Sequence, residues 1–183
     1  MTTIQTKIQR TSRFFRLFFQ AVFIILPCIQ IIAWMMAPQP LPVFFGYIRV
    51  IPTSVEVLHH LSWTTKFYGF LLSSISLIIV EFILYYLIRL FRLYEQGEIF
   101  TAANVSYIRK SGYALLLMQI MAPITEGFLT LIISWGNPPG HRIAAASVSG
   151  LDLTLIITAF MVILISWIMT EGCRLREEQQ LTI

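Results

Sequence analysis

Three acidic residues lie within or beside long apolar stretches of the sequence: Glu81, Glu126 and Asp152. An ionisable side chain at membrane depth costs about 2.5 to 3.5 kcal/mol on insertion scales, and such residues often mark proton or ion pathways. The apolar stretches hold no basic residue that could pair with Glu81 or Glu126. Two interpretations stay open: a proton or cation path through a helix bundle, or neutral carboxylic acids that hydrogen-bond between helices.

Sequence signals for other chemistry are missing. The chain has no nucleophile elbow, no glycine-rich phosphate loop, no CxxC motif and no paired histidine and carboxylate. His59 and His60 are adjacent and would point in different directions on a helix, whereas a helical zinc pair needs a spacing such as i,i+4. We therefore expect no catalytic residue, no metal site and no cofactor, and we expect that the protein is not an enzyme.

A charged stretch, residues 89–112 and here called the elbow, separates two apolar runs. Gly97 is typical of a helix C-terminus, and Thr101 is a good N-cap for the helix that follows. The elbow is either a charged connector that sets membrane orientation or a docking surface for a partner. Its candidate residues for docking are Arg92, Glu95, Gly97, Thr101, Asn104 and Arg109.

These residues are positioned by apolar runs that are long enough to cross a membrane. The chain is 57% hydrophobic and 12% charged, whereas soluble domains carry about 25% charged residues. A spanning helix needs roughly 20 apolar residues. This length predicts an all-α bundle of four transmembrane helices in a single membrane domain, residues 1–183. The predicted spans are residues 17–37, 67–88, 113–135 and 151–170.

The basic residues predict which ends of the spans are cytoplasmic. With both termini and the elbow inside, ten Lys and Arg residues lie inside and three (Arg49, Lys66 and Arg142) lie outside. The positive-inside rule therefore predicts an N-in, C-in protein. In this arrangement Glu81 and Glu126 lie roughly 10 Å and 20 Å from the inner ends of their helices, so we do not expect them to touch.

The segments flanking the first span have patterns of their own. Basic residues at intervals of three precede it, which predicts either a short interfacial helix or a positive flank that orients the span. After the proline-rich start of the first loop, Val55, Leu58 and Leu61 recur at helical spacing and predict a short amphipathic helix from Thr53. The basic residues are Lys7, Arg10, Arg13 and Arg16.

The residues before the fourth span have a spacing like that of a capping box. Ser149 and Asp152 are three apart, with Asp in place of the usual Glu. This spacing predicts that Asp152 lies in the first turn of the fourth helix, where the helix dipole favours a carboxylate.

The elbow and the C-terminal tail resemble one bacterial family. The pattern in the elbow is Tyr94-Glu95-x-Gly97-x-Ile99-Phe100-Thr101-x-x-Asn104-Val105-x-x-Ile108-Arg109-x-x-Gly112. With the tail motif Leu175-x-Glu177-Glu178-x-x-Leu181-Thr182-Ile183, it resembles the family catalogued as domain of unknown function 2975, over roughly Phe67 to Ile183. The resemblance implies a small four-span inner-membrane protein without an established activity. Relatives encoded beside small helix-turn-helix regulators imply a membrane partner in regulation.

Two functions from different classes follow. The first is an accessory or regulatory protein of the bacterial inner membrane that docks a cytoplasmic regulatory protein through the elbow and the tail. The alternative is a small transporter or a proton- or cation-conducting protein that uses Glu81 and Glu126. Membrane lipid is an expected partner, and a second copy of the chain is a possible one. The net charge of +4 does not predict nucleic-acid binding, because the basic residues flank apolar spans and form no basic face on a folded module.

Overall fold

Four long helices make up most of the protein. The computed structural model describes residues 3–43, 46–55, 57, 60–145 and 152–181. The helices are α1 (Thr3–Met36), α2 (Trp63–Glu95), α3 (Ala102–Ser134) and α4 (Leu153–Leu181), and two short strands lie between the first two helices, β1 (Leu41–Val43) and β2 (Gly46–Ile48). All four helices contain stretches long and apolar enough to cross a membrane. The chain is therefore a multi-pass membrane protein with four transmembrane helices, as the sequence predicted.

Each helix extends beyond at least one end of the apolar window that predicted it. α2 and α3 have 33 residues each, which makes each about 50 Å long and longer than a hydrocarbon core of about 30 Å. α1 begins at Thr3 and is continuous. The basic N-terminal residues therefore belong to its first turns, and they do not form a separate short helix.

The first loop contains a β-hairpin where the sequence predicted only a loop and a short helix. β1 and β2 pair antiparallel, with Leu41 opposite Ile48 and Val43 opposite Gly46. No described residue between 49 and 62 is helical, so the helix predicted from Thr53 is wrong for the described part of this segment; Leu58 and His59 lie outside it. Burial explains the apolar residues of this segment, because Val55 and Leu61 belong to a buried core cluster.

The chain divides into two compact units. The elbow unit comprises Met1–Phe23, Ile79–Leu117 and Leu153–Ile183, and the loop unit comprises Ile24–Ile78 and Met118–Asp152. All four helices contribute residues to the elbow unit, whereas the first loop belongs wholly to the loop unit. The single membrane domain predicted over residues 1–183 stays a prediction.

An apolar cluster and neutral hydrogen bonds hold the loop unit together. Trp34 is 3% exposed and packs with Val55, Leu61, Leu129 and Ile133, among others. Its indole Nε1 donates to Ser73 Oγ over 2.9 Å. Further hydroxyl and amide contacts join the helices of this unit: Gln30 Nε2 donates to Ser73 Oγ and Ser74 Oγ, and Ser76 Oγ lies 3.3 Å from Thr125 Oγ1.

Aromatic rings and close glycine packing hold the elbow unit together. Phe91 of α2 lies against Phe15 and Phe19 of α1, with ring centroids 5.3 and 5.6 Å apart. A Cβ atom placed on Gly112 of α3 would lie 2.7 Å from Ile163 Cγ1 of α4. Since a Cβ atom there would force the Ile163 side chain to shift, Gly112 lets α3 and α4 approach closely.

Candidate functional site

The end of α2 is a tight, hydrogen-bonded stop. Gly97 has a φ of 85°, a left-handed conformation that favours glycine. The Glu98 N–H donates to the Leu93 carbonyl and the Gly97 N–H donates to the Tyr94 carbonyl, over 3.0 and 3.1 Å. These two bonds are the Schellman arrangement that satisfies the last carbonyls of a helix. The role predicted for Gly97 as a helix stop is confirmed.

The start of α3 is capped as the sequence predicted. Thr101 directly precedes the helix, and its Oγ1 accepts a 3.4 Å hydrogen bond from the Asn104 N–H. Asn104, however, is fully buried, with an exposed fraction of 0%. Its Nδ2 donates to the Glu98 carbonyl, which ties the connecting turn to the first turn of α3. Asn104 therefore shapes the elbow from inside, and the docking role expected for it stays a prediction.

Glu95 is bound by the protein's own N-terminal helix. Its Oε1 accepts a 2.9 Å hydrogen bond from Arg13 Nε, and its Oε2 lies 2.9 Å from Arg16 Nε. The Glu95 side chain is only 20% exposed. The sequence predicts Arg13 and Arg16 as part of an interfacial helix or of an orienting flank, and Glu95 as part of a charged connector or of a docking surface. The three-residue spacing of Arg13 and Arg16 places both on one face of a helix, and this can be read from the sequence. The sequence does not show which helix that face contacts.

Arg109 lies against α4. Its Nη2 donates to Thr170 Oγ1 over 3.4 Å. Together with the packing of Gly112 against Ile163, this contact sets an antiparallel register of α3 and α4. Continued along both helices, the register brings the beginning of α3 level with α4 at about residue 175. Within this unit, the antiparallel register therefore places the C-terminal part of α4 beside the elbow.

The outward surface of the elbow carries charge and one large apolar ring. Arg92 and Glu98 are exposed, and Phe100 is 57% exposed between two capped helix ends. On α4, Leu175 is 52% exposed, and Arg174 on the same stretch is paired with Glu171 and Glu178. Of the six elbow candidates, Arg92 therefore faces outward. Gly97, Thr101 and Asn104 build the turn, and Glu95 and Arg109 contact other helices.

The acidic residues of the apolar stretches fall in different units. Glu81 belongs to the elbow unit, and Glu126 and Asp152 belong to the loop unit. Both carboxyl oxygens of Glu81 are shielded, and neither accepts a hydrogen bond from a residue that the structure describes. Among the described residues, no group of three His, Cys, Asp or Glu side chains is placed to hold a metal ion.

Asp152 occupies a different position from the one predicted. α4 begins at Leu153, so Asp152 is at the N-cap position and not within the first turn. Its backbone N–H donates to Gln119 Oε1 of α3 over 3.1 Å, which fixes the chain just before the helix starts. Ser149, the other residue of the predicted capping box, lies outside the described residues.

Comparison with known proteins gave one match. The profile of a family described as protein of unknown function (DUF2975) matches residues 30–183. The match begins well before Phe67, so it includes the end of α1 and the first loop, where the resemblance had been less clear. No curated protein and no solved structure matches the chain.

Proposed function

The chain belongs to the DUF2975 family of proteins of unknown function, and we propose that it is a non-enzymatic accessory or regulatory protein of the bacterial inner membrane. In this proposal the elbow and the C-terminal end of α4 together dock a cytoplasmic regulatory protein. The excess of Lys and Arg in the termini and the elbow supports a cytoplasmic location for all three.

One observation carries the proposal: the elbow is a rigid turn that presents exposed side chains. The Schellman stop at Gly97, the Thr101 cap and the buried Asn104 hold the connecting turn from both ends. The elbow thus carries the exposed ring of Phe100 together with the exposed charged residues Arg92 and Glu98, and protein interfaces commonly combine an aromatic anchor with polar residues.

Photo-crosslinking in living cells tests the docking proposal. The substitution Phe100→p-benzoylphenylalanine places an aromatic crosslinker on the elbow, and Tyr47→p-benzoylphenylalanine in β2 is the matched control, since Tyr47 is an aromatic residue that is 72% exposed. We expect a discrete adduct with one cytoplasmic protein from position 100 and none with that protein from position 47. Glu95 and Arg109 are less suitable positions, because other helices of the chain already contact them.

A charge reversal shows whether the adduct depends on the elbow surface. We expect Arg92→Glu to reduce the adduct several-fold, because it reverses the charge of an exposed elbow residue. Arg49→Glu, at an exposed residue of the first loop, should leave the adduct unchanged. Adducts from position 100 with only lipid and the chain itself would contradict the docking proposal.

Glu81 keeps the alternative function, conduction of protons or cations, open to a direct test. A shielded carboxyl group without a hydrogen-bond partner among the described residues is the kind of group that intramembrane proton relays use. Within the described part of the protein, Glu81 and Glu126 do not line the cavities around Phe82, Pro52 and Phe67. Proton flux into proteoliposomes that is lost in Glu81→Gln and Glu126→Gln would favour conduction, whereas no flux in any form would remove it.

A further inference from the structure

A mainly apolar groove runs between α2 and α3 in the elbow unit. It has a volume of about 280 Å³ and is lined mainly by apolar and aromatic side chains. Ile79, Phe82 and Tyr86 line it on α2, and Lys110, Tyr113 and Leu117 line it on α3. Lys110 is the charged residue of this lining, so the groove is apolar along its length and cationic at one end.

A column of aromatic rings positions the cationic end. Lys110 Nζ lies 5.9 Å from the centroid of the Tyr86 ring. Tyr86 in turn stacks on Tyr107 and Phe82, with centroids 6.3 and 6.4 Å apart. The side chain of Lys110 is exposed and makes no hydrogen bond or ion pair with any residue that the structure describes. Its three N–H donors therefore remain available to an anion.

A second groove, in the loop unit, provides the contrast. It has a volume of about 330 Å³, and Lys66 lies over the ring of Trp63 at 5.5 Å, much as Lys110 lies over Tyr86. Lys66 Nζ, however, donates to the Met35 carbonyl over 3.2 Å. The charge of Lys66 is thus used to satisfy the carbonyl end of α1, whereas that of Lys110 satisfies no acceptor in the described part of the protein.

The position of Lys110 along α3 matches the headgroup level of a bilayer. Lys110 lies three residues, or about 4.5 Å, before the apolar stretch that begins at Tyr113. Leu117 lies about 10 Å further along the helix, within that stretch. The groove therefore begins at the membrane interface and continues toward the hydrocarbon, in the same order as the headgroup and acyl chain of a lipid.

We propose that this groove is a specific site for one anionic glycerophospholipid of the leaflet on the elbow side. Its phosphate accepts hydrogen bonds from Lys110 Nζ, and one acyl chain packs against Ile79, Phe82 and Leu117. Basic pockets between transmembrane helices bind anionic headgroups in this way. Lys110 belongs to the elbow, but the groove includes no residue of the turn between α2 and α3, so lipid binding can be measured separately from partner docking.

Native mass spectrometry of the purified full-length protein, titrated with phosphatidylglycerol or phosphatidylcholine of the same acyl chains, tests the site. We expect one phosphatidylglycerol molecule to bind more tightly than phosphatidylcholine. Lys110→Gln should weaken phosphatidylglycerol binding about five-fold, the ratio for a contact of about 1 kcal/mol. Lys110→Arg, which keeps the charge, should retain most of the affinity.

The matched control is Lys66→Gln, which removes a lysine over an aromatic ring in the other groove and should change phosphatidylglycerol binding less than two-fold. Ala114→Phe fills the first groove and should also weaken binding, with Lys110 intact. Inorganic phosphate should not compete, since the acyl chain contributes to affinity. Equal binding of the two lipids, or equal losses in Lys110→Gln and Lys66→Gln, would overturn the proposal.

Discussion

The elbow unit and the loop unit are stabilised by different kinds of contact. In the loop unit, neutral side chains make the part-buried bonds between helices, as in the hydrogen bond from the Trp34 indole to Ser73, and the exposed contact of Lys66 with the Met35 carbonyl is a charged exception. In the elbow unit, charged groups do so, as in the contacts of Glu95 with Arg13 and Arg16. Neutral contacts suit a region surrounded by lipid, where charge is costly, and charged contacts suit a region at or beyond the headgroups. The difference accords with a packed scaffold in the loop unit and with the docking surface that we propose for the elbow.

The largest expected effect concerns the packing of the loop unit. A Cβ on Gly69 would lie 2.1 Å from Cη2 of Trp34, and that rigid ring is buried and hydrogen-bonded. Gly69→Ala should therefore destabilise the protein by about 3 kcal/mol, at the upper end of the range for overpacking. Thermal unfolding in detergent measures the loss. A wild-type melting temperature would show that Trp34 moves freely, contrary to the packed scaffold described for this unit.

The next largest effect concerns the turn of the elbow. Asn104→Ala removes the hydrogen bond to the Glu98 carbonyl and should cost about 1 to 2 kcal/mol. We expect faster hydrogen exchange at residues 98–101. The control is Asn137→Ala, which removes a buried amide that donates to the His141 carbonyl in the loop unit. If both variants raised exchange in the elbow equally, Asn104 would have no special role in shaping it.

A smaller effect is expected for the glycine of the elbow unit. Gly112→Ala meets the ends of the Ile163 and Val162 side chains at 2.7 and 3.3 Å, and these can shift more easily than a ring. The expected loss is about 1 kcal/mol, since better helix propensity offsets part of the clash. Gly172→Ala, with open space around it, should gain up to about 1 kcal/mol. If Gly112→Ala lowered the free energy of unfolding as much as Gly69→Ala, the two units would not differ in how easily side chains around a glycine shift.

The smallest effect separates charged from neutral contacts. Glu95→Gln should cost less than about 1 kcal/mol, because Arg13 is largely exposed and surface ion pairs contribute little. The loss should shrink toward 1 M salt, where the screening length is about 3 Å, because salt screens the contact with the exposed Arg13 more than the contact with the less exposed Arg16. Ser73→Ala in the loop unit should cost about 1 kcal/mol at every salt concentration. Melting temperatures across a salt series measure both losses. The same salt dependence in both variants would contradict the difference between the charged contacts of the elbow unit and the neutral contacts of the loop unit.

The local features of the fold were more predictable than its contacts. Gly97 predicts the end of α2 and Thr101 predicts the start of α3, since a single residue at one position can determine a helix cap. The burial of Asn104 and the binding of Glu95 by α1 depend on which helices are neighbours, and sequence spacing does not contain that information. Val55 and Leu61 have helical spacing in the sequence, and this spacing predicts a helix. They are apolar because they are buried in a core cluster, in a segment whose described residues form no helix.

The side of the membrane on which the elbow lies tests the account most directly, because docking of a cytoplasmic protein requires that it lie inside. Cysteine labelling with an impermeant maleimide, in a background of Cys28→Ser and Cys173→Ser, compares Glu98→Cys with Tyr47→Cys. Both positions are exposed. The account predicts that position 47 is labelled in spheroplasts with an intact inner membrane, and that position 98 is labelled only after that membrane is opened. Labelling of position 98 from outside the intact membrane would contradict it.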